Sequence, residues 1–246
     1  MKRISLLLIA MVATSFTALS QINLNENSSF KQSGDLVISN TQATYHSDLD
    51  LLVLEIAVKG KAGATQPEKA GQLDGAPVLG YVFPTNLKSS DVGFGDTEGI
   101  VALALTSHPD FDDTPLWDEN ADQDFANDGV VWHPHWVVLQ SDERVPGGLS
   151  VKQFDTSDKS VVLPPTNPGM PMYMDSPGFS VVTQGNTIKV LVPAFRVNNK
   201  TNFQFDGVTA YMQVNTSVQD KPLLGVYSVY SVASGNLSLP YSVNQK

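Results

Sequence analysis

Cysteine is absent from the chain, which removes disulfides and thiolate ligands together. Zinc fingers, iron–sulfur clusters and cysteine-bound blue copper are thereby excluded, and the fold must rest on its core and on any ions it holds. Charge is sparse and one-sided: 16% of residues are charged, with 15 Lys and Arg against 25 Asp and Glu, a net −10 and a pI near 4.7. Such a balance leaves no basic footprint for phosphates, so nucleic acid is not an expected partner. No apolar run approaches the roughly 20 residues that a helix needs to cross a bilayer, so the protein is not expected to be transmembrane. Catalytic signatures are also missing, with no G-x-S-x-G elbow, H-E-x-x-H, phosphate-binding glycine loop or dinucleotide fingerprint. Helical periodicity is lacking throughout.

What is present begins with the three parts of a secretory signal at residues 1–20: basic Lys2 and Arg3, an apolar run from Ile4 to Val12, and Ala18-Leu19-Ser20. A periplasmic or secreted location follows as the expectation, with residues 21–246 forming a single all-β metal-binding domain. Short runs of β-branched and aromatic residues, bounded by Gly, Pro, Asn and Asp, predict strands at 35–40, 49–59, 76–83, 100–106, 130–139, 149–154, 179–183, 187–197, 208–216 and 223–232. Gly185-Asn186 between two such runs predicts a tight hairpin turn. Regularly spaced strands of this kind predict an antiparallel two-sheet sandwich with long functional loops, at about 60–75, 108–129 and 164–178.

Chemistry concentrates between Trp117 and Trp136, which enclose all three tryptophans and two of the four histidines. From Lys88 to Arg144 no Lys or Arg intervenes, while thirteen acids do. A cluster this uncompensated repels itself unless it is solvated or binds a cation. In a strand, alternate residues share a face, so His133 and His135 point together with Val137 and Leu139. Two imidazoles so placed can reach one ion, with His108 or His46 as third donor. The plainer account is a pair of half-buried histidines satisfied by backbone, and Pro134 between them suits an edge or bulge better than an ideal strand.

Two further groups offer ligands. Asp118, Asn120, Asp122, Asp124 and Asp128 place oxygens at alternating positions as a calcium loop does, although Gln123 and Gly129 stand where an EF-hand needs its turn glycine and bidentate Glu. Met170, Met172 and Met174 offer thioethers suited to Cu(I), or fill gaps in a core. The first reading is therefore an exported, non-enzymatic protein holding copper through His133, His135 and His108 or His46. The alternatives are a zinc-dependent hydrolase or lyase with a three-His site, and a calcium-stabilised surface protein whose tryptophans meet a glycan or protein partner.

Overall fold

The structure, a computed structural model, describes residues 33–113, 118, 121–124 and 129–246. The expected signal at 1–20, together with Trp117, Asn120 and Asp128, lies outside them. The strands are β1 (Ile38–His46), β2 (Leu51–Val58), β3 (Pro77–Pro84), β4 (Ile100–Ser107), β5 (His133–Ser141), β6 (Leu149–Val151), β7 (Met174–Asp175), β8 (Val181–Gln184), β9 (Thr187–Pro193), β10 (Gln204–Phe205), β11 (Val208–Val214), β12 (Leu224–Val232), β13 (Tyr241–Ser242) and β14 (Asn244–Gln245). Among the described residues only short 3-10 turns interrupt them, and no helix is long and apolar enough to cross a membrane.

One sheet runs β14-β1-β2-β9-β8. In β9, and in β2 as far as Ile56, exposure alternates residue by residue, because a sheet with one covered face buries every second side chain. Leu52, Leu54 and Ile56 of β2 and Ile188, Val190 and Val192 of β9 form that buried face. Each such aliphatic side chain contributes about 1.5–3 kcal/mol when fully buried. The Gly185-Asn186 turn joins β8 to β9 as a hairpin with Gln184 opposite Thr187.

The second sheet corrects the expectation of a sandwich. Its order β4-β3-β11-β12-β6-β5 is joined end to end, because β4 also pairs with β5, with Ile100 opposite Leu139 and Thr106 opposite His133. Six strands thus close into a barrel. Strands β3, β4 and β5 are buried on both faces: one face lines the barrel, and the other, with Leu79, Tyr81, Phe83, Leu103 and Trp136, packs on the five-stranded sheet.

A barrel with fewer than eight strands has room only for side chains. Its interior accordingly uses small ones, Ala102, Ala104, Ala210 and several valines. At Gly80 a Cβ would lie 2.8 Å from Met212 Cε. Strand β7 extends the wall beside β6 by pairing Trp136 with Asp175 and Val137 with Met174. Met172 and Met174 thereby lie in the barrel's core, and the partly buried Met170 packs against it.

Candidate metal centre

Four side chains meet where β4 and β5 end at one mouth of the barrel. His133 and His135 alternate inward on β5 ahead of Val137 and Leu139, as the strand period requires. Pro134 between them pairs with Leu105, and β7 joins the other side of β5 only from Trp136 onward, so the proline lies where the ladder is one-sided. His108 directly follows β4. Its N–H donates to Gly129 O at 2.6 Å, and its ring stacks on Phe111 with centroids 4.2 Å apart and planes at 10°. Asp113 comes from the same loop. That loop is tied to residues 60–75 by Asp110, whose carboxylate accepts from Ala70 N at 2.9 Å and Gly71 N at 2.7 Å.

Asp113 Oδ1 lies 3.3 Å from His108 Nε2, 3.4 Å from His133 Nε2 and 3.3 Å from His135 Nε2. The Nε2 atoms of His108 and His133 are 2.7 Å apart, and all four donor atoms fall within 4.8 Å of one another. The histidines are 2–5% exposed, so solvent does not satisfy them. Their outer nitrogens face oxygens: His108 Nδ1 meets Phe111 O at 2.8 Å, His133 Nδ1 meets Val131 O at 2.6 Å, and His135 Nδ1 meets Ser176 Oγ at 3.1 Å. A carbonyl can only accept, so Nδ1 carries a proton in His108 and His133, and their Nε2 atoms face inward, free to offer lone pairs to an ion once the proton between them is displaced. This is how second-layer oxygens orient imidazoles for a metal.

The electrostatics agree. Burial works against ionisation of Asp113, yet the imidazoles of His135 and His108 hold its carboxyl well below the usual carboxylate range. Burial would push His108 down, but the Asp113 carboxylate outweighs it and the pKa is raised. At His135 burial prevails over Asp113, with His133 and His108 adding to it, and the pKa falls to about 3. The group is therefore poised with one carboxylate, one proton-holding imidazole and at least one neutral imidazole. A single proton can bridge one pair of these atoms. Asp113 Oδ1 and His135 Nε2 still make no hydrogen bond, whereas one cation at the centre would engage all four.

The cluster can thus hold a metal ion, and among the described residues it is the group of His, Asp and Glu side chains that converges in this way. His46 ends β1 in the other sheet, opposite Leu51, and does not join it. The Asp118 carboxylate accepts from Asp122 N at 3.1 Å and Gln123 N at 2.8 Å, and Asp122 Oδ1 accepts from Asp124 N at 2.8 Å. These oxygens organise an exposed turn, apart from the histidines. The three methionines border a small void next to the cluster. Trp132 and Trp136 are buried in the core and offer no open face to a sugar. Asp113 was not legible as a ligand, since nothing in the sequence sets it apart from the other acids around it; its burial does. Comparison of the chain with protein-family models, with curated proteins and with solved structures yields no match, so its function is read from the chemistry of this cluster.

Proposed function

We propose that this is an exported metal-binding protein whose single ion, zinc, ties the 108–113 loop to the mouth of the barrel. One observation carries the reading: four buried donor atoms aim at a common point, two of them with no hydrogen bond. Zinc is favoured over copper by spacing. A tetrahedral ion with bonds of about 2.0–2.1 Å separates its donors by about 3.3–3.4 Å, the separation found from Asp113 Oδ1 to each imidazole, while the His108 and His133 Nε2 atoms, 2.7 Å apart, have to part by roughly 0.6 Å to take the ion. Copper(II) prefers a tetragonal plane, in which one donor stands trans to Asp113 Oδ1 at about 4 Å, whereas all three Nε2 atoms lie 3.3–3.4 Å from it. The methionines are accounted for by packing in and against the barrel core. Four protein donors to one ion are the pattern of sites that contribute to folding. Export is supported by the basic-then-apolar start of the chain.

Metal analysis of protein purified without chelators tests the reading. We expect one zinc per chain, lost in the His133→Ala/His135→Ala double variant. Copper in its place would overturn the choice of metal, and zinc retained by the double variant would overturn the site.

A further inference from the structure

A void of about 20 Å³ adjoins the cluster on its barrel side, bordered by Thr106, His108, Asp113, His135, Met172 and Met174. A cavity of at least about 10–15 Å³ holds one water, provided that polar partners are available. Thr106 supplies one. It sits opposite His133 in the β4–β5 ladder, so its side chain shares the inner face of the barrel with both imidazoles. Its hydroxyl is buried and has no hydrogen-bond partner, an arrangement that folded proteins avoid unless something fills the place. Beyond it the barrel holds a second void of about 50 Å³ whose walls are apolar apart from Thr106 and His135, so no other group competes for a polar ligand.

We infer that the ion proposed above keeps one exchangeable coordination position facing the barrel, filled by water or hydroxide or by a small anion of at most three atoms, and that Thr106 Oγ1 hydrogen-bonds the bound atom. The inference rests on that ion being present. Zinc can expand from four donors to five, and the void lies against three of its four ligands. The methionine loop and the narrow barrel set the size limit. The void of about 20 Å³ takes a one-atom donor. A linear three-atom donor fits by extending into the void of about 50 Å³, which shares Thr106, His135, Met174 and Leu224 with it, and a substrate with a branched carbon skeleton does not fit. Bound water here is held by the ion and one hydroxyl in otherwise apolar surroundings, the setting in which a metal lowers the pKa of water most effectively.

Cobalt(II) loaded into the full-length protein tests this, because its visible bands are strong when four-coordinate and weaken when a fifth ligand binds. Titration with azide should change the spectrum of the cobalt protein in a saturable way. Thr106→Val, which keeps the shape and removes the hydroxyl, should weaken azide binding roughly tenfold, about 1.4 kcal/mol, and Thr106→Ser should restore it. A strong four-coordinate spectrum unmoved by azide would overturn the open position while leaving the cage intact. Equal azide affinity in the valine variant would remove Thr106 from the account. Failure of cobalt to bind at all would instead overturn the metal cage, and this inference with it.

Discussion

His108 reaches the cluster because residue 129 has no side chain. Gly129 adopts φ +98°, and a Cβ there would strike the carbonyl oxygens of His108 and Phe111 and lie 2.8 Å from His108 Nδ1. Gly129→Ala therefore meets two obstacles, a left-handed backbone costing roughly 1–2 kcal/mol for an L-residue and a collision with the atoms that orient the imidazole. We expect a lower melting temperature and metal affinity reduced roughly 10–100-fold, the range for lost orienting partners. Calorimetric titration with zinc would measure it, and unchanged affinity would show that His108 is not a ligand. At this scale the sequence was legible where a local period governs. The two-residue period alone places His133 and His135 on one face, and it holds through Pro134. Asp113 and Thr106 were not legible, because their roles depend on burial and on partners far along the chain. Gly129 was visible only as a residue out of place for an EF-hand.

Most of the longer strands were legible, although β1 runs from Ile38 to His46 where 35–40 was expected; the two-residue strands β7, β10, β13 and β14 and the closure into a barrel were not. Hydrophobic period identifies a covered face but does not say which strands pair, and the β4–β5 ladder joins segments separated by the long 108–129 loop. A trace of the second core does exist in β4, where Val101-Ala102-Leu103-Ala104-Leu105 is apolar on both faces, as strands buried on two sides are. Its small residues point into the barrel and its large ones outward. Ala102 is fully buried opposite Val137, so Ala102→Leu should overpack the narrow interior and destabilise by about 1–3 kcal/mol. Thermal unfolding would read this as a drop of roughly 2–4 °C per kcal/mol for a chain of this size; a neutral result would mean that the barrel is wider than its pairing implies. The turn from β5 to β6 makes a separate prediction. Hydrogen bonds from the Arg144 guanidinium, at 2.6 and 2.8 Å, hold the Asp142 carboxyl down to about 2, with Ser150 Oγ also donating. A depressed carboxyl stabilises the fold above its unfolded pKa of about 3.9, and that share is lost as pH falls from about 4 to 2. Asp142→Asn should flatten this part of the acid-denaturation curve. A curve of unchanged steepness would show that the pair, with Arg144 exposed and Asp142 buried, contributes nothing there.

For the whole molecule, the ion proposed above would link the 108–113 loop, strands β4 and β5, and pH. An ion that binds only the folded state stabilises by about 2.7 kcal/mol at one hundred times its Kd, roughly 5–10 °C in melting temperature for a chain of this length. Imidazoles must be neutral to bind it. The two perturbed histidines act in opposite senses. His135, held neutral down to about 3, presents little competition from protons. His108, with its raised pKa, gives metal-free protein a share of stability that is complete below about 6.5 and is lost as pH rises through the raised folded value. The ion has to displace that proton, so binding should release protons and weaken as pH falls, beginning above the 6.5 of a free imidazole. The zinc-dependent rise in melting temperature should accordingly be large at pH 8, reduced at pH 6 and gone at pH 5, with a chelator abolishing it at every pH. A site built from carboxylates alone keeps its charge down to about pH 4–5, because Asp and Glu titrate near 3.9 and 4.3. Stabilisation that persists undiminished at pH 5 would therefore exclude the histidines as ligands and move the ion to the acidic residues of the 108–129 loop.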